Sequence, residues 1–363
     1  MLHTDLFDYN LPPEQIAQVP ILQRDRSRLM VVNRKTQQVI HTTVHNLPSF
    51  LPAATALIRN TVAVFKARLL CETVSGAPAE CFLLHPDASS ANPNHWWCLL
   101  KPGKKLKKEG GFMHSNSFKA RVLEQNSAGS YLVAFELFQD SSVQNLAERM
   151  GALPLPQYIE RKQTDTLKHL DETHYQTVYA DLSERTAAAA PTAGLHFTQS
   201  LLEELKNQSV SIYNLTLQIG LGTFQPLRST YVEQHQMHTE LYSIPAETQA
   251  LLTQLNPDCK RLAIGTTTVR AIESYARDAL LKIIPSSNRL QATDIFIYPP
   301  YTFQKTDLLL TNFHLPKSSL MCMVAAFLTP NALEGIDWIK ELYQEAIGQG
   351  YRFFSYGDAM LIM

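Results

Sequence analysis

Cysteine is scarce and unpaired in this sequence: Cys71, Cys81, Cys98, Cys259 and Cys322 make an odd set of five with no Cys-x-x-Cys spacing. That argues against a disulfide framework or a thiolate zinc knuckle and points to reduced, mostly buried thiols. No run approaches the roughly 20 apolar residues of a membrane helix. Residues 1–9 carry Asp5 and Asp8 where a secretory leader would need an apolar core. The expectation is a cytoplasmic protein that does not engage a membrane. Charge is also sparse, at 18% Asp, Glu, Lys and Arg, and balanced to a formal net −1. The molecule as a whole therefore has no attraction for a polyanion, and any nucleic-acid surface must be a local patch. Low charge beside 45% hydrophobic content argues against disorder. A length of 363 residues allows two domains, or one large domain with an insertion.

What is present has two textures. After a Pro-rich entry, Leu11-Pro12-Pro13, and an arginine-rich turn, residues 29–32 read as a strand with a hairpin partner at Val39-Ile40. From about 62 to 150, short alternating apolar runs at 67–74, 79–84, 96–100, 118–123 and 131–138 are broken by turn residues. That is the rhythm of a small antiparallel β-barrel or sandwich. Pro154 and Pro156, then Glu160-Arg161-Lys162, mark the return to a different unit. Beyond about 175, strands at 211–219, 261–265 and 294–298 alternate with helices entered at Thr198 and spanning 269–281 and 319–328. This alternation predicts α/β architecture.

Unusual polar residues gather at the strand ends, where open α/β sheets bind ligands. Pro191-Thr192-Ala193-Gly194-Leu195-His196-Phe197 sets a hydroxyl and an imidazole just before a helix, whose free N–H groups can receive a carboxylate or phosphate. A capped surface turn is the alternative. Gly220-Leu221-Gly222-Thr223-Phe224 follows a strand, yet Gln225 and Pro226 stand where a dinucleotide fingerprint needs its third glycine and crossover helix. A Rossmann-type NAD site or ordinary methyltransferase is thereby disfavoured. His235-Gln236-Met237-His238-Thr239-Glu240 lacks the i, i+4 spacing of a zincin, so a hydrogen-bonded histidine pair or plain structure is preferred to metal. In Gly265-Thr266-Thr267-Thr268-Val269-Arg270 the threonines can cap a helix, while Arg270 can fork onto a carboxylate or pair with Glu273. Thr311-Asn312-Phe313-His314-Leu315-Pro316-Lys317-Ser318 precedes an apolar helix, and the tail from Tyr351 to Met360 is too aromatic and polar to fray. Lys101, Lys104, Lys105, Lys107 and Lys108 crowd a turn at Pro102-Gly103, as an anion-binding patch or a merely solvated loop.

With these segments assembled, the chain resembles the S-adenosylmethionine:tRNA ribosyltransferase-isomerases of queuosine biosynthesis, the QueA family. The likeness runs through nearly the whole sequence. Besides the segments above it is carried by Phe7-Asp8-Tyr9, Ser27-Arg28-Leu29 and Thr293-Asp294-Ile295-Phe296-Ile297-Tyr298-Pro299. It breaks at Asn60-Thr61-Val62, where the family usually has Asn-Asp-Thr, and at residues 187–190, four alanines in place of a Gly-Ser-Val lead.

The resemblance implies a discontinuous α/β main domain, residues 1–62 and 155–363, with a small antiparallel β-barrel inserted at 63–154. It implies transfer and isomerisation of the ribosyl part of S-adenosylmethionine onto 7-aminomethyl-7-deazaguanine in a tRNA anticodon. Epoxyqueuosine-tRNA forms, and adenine and methionine leave. S-adenosylmethionine is then a co-substrate, and neither cofactor nor metal is implied. Such chemistry wants a base, an acid and fixed dipoles, and His196 and His314 are the acid-base candidates. Thr192, Thr267 and Asn312 would orient ribose or adenine; Arg270 would take the methionine carboxylate; Tyr298 or Phe224 would face the sulfonium; Asp294 and Asp358 would hold amines. On the tRNA side, Lys104, Lys105, Lys107 and Lys108 would meet backbone and Phe354 and Tyr356 would stack on a base turned outward. Two rivals stay open: a methyltransferase, which yields S-adenosylhomocysteine, and a non-catalytic tRNA-binding protein, which releases no adenine.

Overall fold

The computed structural model describes the chain except residues 88, 128, 162–165, 221–225, 255, 257 and 282–288, and the side chains of 183–186. Two compact units result, one of residues 1–63 with 156–363 and one of residues 64–155. The first unit begins with strands β1 (Arg28–Val32), β2 (Val39–Thr43), β3 (Thr55–Asn60) and β4 (Val62–Val64).

The second unit is a closed six-stranded antiparallel barrel. Its strands are β5 (Arg68–Thr73), β6 (Pro78–Pro86), β7 (His95–Lys101), β8 (Gly111–His114), β9 (Phe118–Gln125) and β10 (Tyr131–Leu137). Side chains in β5 alternate outward and inward, with Leu69, Cys71 and Thr73 inside. Phe112, Phe118 and Phe135 fill the centre with ring centroids 5.6–6.2 Å apart. Two helices complete the unit, α1 (Gly103–Glu109) and α2 (Val143–Met150), neither expected from the sequence. Lys104, Lys105, Lys107 and Lys108 sit on α1 rather than on a turn, while Lys101 ends β7. Leu106 is fully buried and anchors the helix, which ends at Gly110 in the left-handed region.

The first unit resumes with α3 (Lys168–His174), β11 (Asp181–Ala187), α4 (Gln199–Asn207), β12 (Ser211–Gln218), β13 (Glu240–Ser243) and α5 (Ala246–Thr253). It continues with β14 (Lys260–Ile264), α6 (Thr266–Leu280), β15 (Gln291–Thr293), β16 (Leu308–Asn312), α7 (Ser319–Leu328), α8 (Gly335–Gly348) and β17 (Ala359–Ile362). Nine strands form one mixed sheet in the order β15-β13-β12-β3-β14-β16-β17-β1-β2. β12, β3, β14 and β16 are parallel, and β17 slots in antiparallel to β16 and parallel to β1.

Alternate strand residues feed two cores. Leu57, Leu262, Ile264, Leu308, Leu310 and Leu361 pack with α4 on one face. Ile58, Ala263, Leu309, Met360 and Ile362 pack with α6, α7 and α8 on the other. The α/β class with an inserted barrel is as the sequence indicates, but the strand expected at 294–298 is not there. The ladder ends at Thr293, where β15 pairs antiparallel with β13. Ile295 and Ile297 alternate because they enter the core from irregular backbone.

Candidate active site

The parallel strands decide where a ligand can sit. β14 ends at Ile264 and β16 at Asn312, so both deliver chain to the same edge of the sheet, beside the residue that follows β12, Ile219. A cavity with about 620 Å³ of empty space, open solvent at its mouth included, lies there. The 3-10 turn Thr192–His196, the start of α6, the segment between β16 and α7, and the bend before β17 form its walls.

Each wall has a local cause. Gly265 takes a φ of +88°, open to glycine, and a Cβ there would meet Ala193 at 3.5 Å, so the start of α6 packs close to the 3-10 turn. No side chain caps α6, and the buried Thr267 Oγ1 has no hydrogen-bond partner among the described residues. Ser318 Oγ caps α7, accepting from Met321 N at 3.2 Å. In the final bend Phe354 holds a left-handed φ of 72°, strained for an aromatic residue, and a Cβ on Gly357 would strike the Phe353 carbonyl carbon at 2.5 Å.

One amide ties these walls together. Asn312 Oδ1 accepts from Thr192 Oγ1 at 3.0 Å, while Nδ2 donates to Phe354 O at 3.1 Å and faces His196 Nε2 at 3.2 Å. His314 Nε2 lies 2.8 Å from Thr311 Oγ1, and its backbone is held by Tyr9 and Tyr343. Burial drives both imidazoles down to about 3, with the Arg352 and Arg24 charges adding to the effect at His196. Both rings are therefore neutral near pH 7.

Thr192, Thr267, Asn312, His314 and Phe354 all line the cavity, and His196 lies one hydrogen bond behind Asn312. The other expected site residues stand elsewhere. Arg270 is 2% exposed and makes an ion pair with the equally buried Glu240, not with Glu273. Glu273 instead accepts from Gln304 N, Lys305 N and Thr306 Oγ1. Asp358 is a buried clasp for the Arg28 and Arg352 N–H groups, and burial raises its pKa. Asp294 is solvent-exposed, 3.6 Å from Arg277, and Tyr298 packs on Phe296. Phe224 lies outside the described residues. Phe354 and Tyr356 are each 4% exposed, so neither is an open surface platform.

Tyr158 lines the same cavity without any signal in the sequence. It lines the cavity against Phe354 at 4.7 Å between centroids, with its hydroxyl 2.5 Å from Ser355 Oγ. No local spacing marks it; only the fold brings it to the tail. At the sequence break, Asn60 is fully buried and bonds Leu217 O and N and Val62 N, while Thr61 bonds Leu215 O. That segment serves the sheet. Among the described residues no cluster of three His, Cys, Asp or Glu could hold a metal, and no helix is long and apolar enough to cross a membrane.

A family model for queuosine biosynthesis protein matches residues 4–362. The chain belongs to that family. Among its members, the S-adenosylmethionine:tRNA ribosyltransferase-isomerase of Thermotoga maritima is 40% identical over 359 residues, 98% of each chain. The enzyme of the same description from Desulforamulus reducens is 42% identical over 361 residues, again 98% of each. The crystal structure of S-adenosylmethionine tRNA ribosyltransferase from Thermotoga maritima matches with a TM-score of 0.53 and 32% identity, covering 99% of this chain and 100% of that one.

Proposed function

We propose that this chain is an S-adenosylmethionine:tRNA ribosyltransferase-isomerase acting on 7-aminomethyl-7-deazaguanine in a tRNA anticodon, forming epoxyqueuosine-tRNA and freeing adenine and methionine. The observation that carries this is a cavity at the strand ends, lined from four family segments, in a chain that matches the family over residues 4–362. The unpaired Thr267 hydroxyl and the uncapped start of α6 suit the methionine carboxylate, a task that the buried Arg270 cannot perform. Tyr158 and Phe354 offer ring faces to the sulfonium. Thr192 and Asn312 suit the ribose hydroxyls. His314 lines the cavity and is hydrogen-bonded to Thr311, a position that suits removal of the proton beside the sulfonium.

Incubation with S-adenosylmethionine and precursor-bearing tRNA should release one adenine and one methionine for each tRNA modified. S-adenosylhomocysteine in place of adenine would instead mean methyl transfer, and tRNA binding with no adenine would mean a non-catalytic binder.

The four lysines on α1 are exposed, with Lys105 3.7 Å from Glu109 and Lys107 3.3 Å from Gln125, and they suit tRNA phosphates. Changing Lys104, Lys105, Lys107 and Lys108 together to Gln should weaken tRNA binding. The slope of log affinity against log salt should flatten by roughly one for each phosphate that the variant no longer neutralises. An unchanged slope would return these lysines to solvent.

A further inference from the structure

A second cavity of about 250 Å³ opens beside the first. Ser355 lines both, and the Asn312–His196 hydrogen bond links a residue of the first to a residue of the second. The lining includes Arg24, His174, His196 and Tyr356 and, among the described residues, no carboxylate. Two of these planar groups are fixed in place. The Arg24 guanidinium donates to the carbonyls of Thr173, Gln176 and Leu195 at 2.6, 2.8 and 3.3 Å. The Tyr356 hydroxyl donates to Asp171 at 2.8 Å, with Tyr175 edge-on at 5.9 Å. Fixed flat groups beside polar edges are what proteins offer a base taken out of its stack.

The hydrogen bonding also states what His196 can offer. Asn312 must turn its NH₂ toward the Phe354 carbonyl, because an amide oxygen there would meet another oxygen. The same NH₂ faces His196 Nε2, so Nε2 accepts. The ring is neutral, and its one hydrogen therefore sits on Nδ1. His196 is left with an N–H to give, matched to a carbonyl oxygen such as a guanine-like base carries.

We propose that the second cavity receives the acceptor base of the tRNA while the first holds S-adenosylmethionine, and that His196 recognises the base by donating to its carbonyl oxygen instead of moving a proton. This rests on the ribosyl-transfer reading above. Ser355, common to both cavities, marks where the aminomethyl arm and the ribose can meet.

Pro20 and Ile21 line the second cavity and not the first, on a half-buried surface segment. Pro20→Trp and, separately, Ile21→Trp should leave S-adenosylmethionine affinity within about twofold of wild type, which also reports folding. Each should lower kcat/KM for precursor tRNA about tenfold or more and remove the preference for precursor over unmodified tRNA in binding. His196→Gln, which keeps an N–H donor, should retain most of kcat/KM, whereas loss of a proton-transferring group costs about 100-fold or more. The proposal is overturned if both tryptophan variants bind S-adenosylmethionine and process precursor tRNA normally, or if both lose S-adenosylmethionine affinity. A 100-fold loss in His196→Gln overturns the role given to that ring. Wild-type adenine release tests the underlying reaction separately: its absence would sink the ribosyl-transfer reading, while the binding preference would still test the cavity.

Discussion

Replacing Arg270 by Met should destabilise the α/β unit by about 3–5 kcal/mol, the usual result of leaving a buried charge without its partner. Glu240 is 4% exposed and spans two elements: Oε2 takes the Arg270 guanidinium from α6, and Oε1 accepts from Gly220 N, just past β12, at 3.0 Å. Arg270 Nε also reaches Ile295 O at 3.3 Å. The pair therefore joins the helix whose first turn walls the cavity to the strand end beside it, and losing one charge strands the other in an apolar core. The double variant Arg270→Met with Glu240→Gln should recover most of the loss, because no buried charge remains. Urea denaturation followed at the α/β unit, with hydrogen exchange along α6, measures both. Equal losses in the single and double variants would show that the two charges are not coupled, and S-adenosylmethionine affinity lost without loss of stability would return Arg270 to the ligand.

That pair also shows where sequence reasoning stops. Arg270 at a strand-to-helix junction looks like a ligand group, and its type and position are right for one. Its partner lies 30 residues earlier in the chain, on β13, and nothing in the local spacing points there. The barrel was legible because its strands have one face inside and one outside, which writes period two into β5 and β10. β16 left no such trace: with helices on both faces of the sheet, Leu308, Leu309 and Leu310 are all buried and the alternation vanishes. For the same reason Ile295 and Ile297 imitated a strand, since alternation records burial and not hydrogen bonding. The cavity lining was legible where one short segment carries its own turn and its own polar group, as at Thr192, Thr267, Asn312 and His314. Tyr158 was invisible because its role exists only once the tail folds back upon it.

Acidification should unfold this protein through the same two imidazoles. In the unfolded chain a histidine takes up its proton near pH 6.5, whereas burial holds His196 and His314 down to about 3 in the folded state. Between those values the unfolded chain binds protons that the folded one refuses. The stabilisation is thus fully present above pH 6.5 and lost as pH falls toward 3, by up to about 1.4 kcal/mol per pH unit for each ring. His235, half-buried and also lowered, adds in the same sense. Glu273 and Asp358 work the other way: burial raises both, so they favour the folded state in acid and oppose the histidines in the lower part of the window. The histidine slope should therefore dominate above the pH at which the folded carboxyls begin to take up protons ahead of the unfolded ones. Urea midpoints across this range measure it, and His196→Gln and His314→Gln should each flatten the curve. A slope unchanged in both variants would mean that neither ring is kept neutral by the fold, and would remove the basis for reading His314 as a base ready at neutral pH and His196 as a donor through Nδ1.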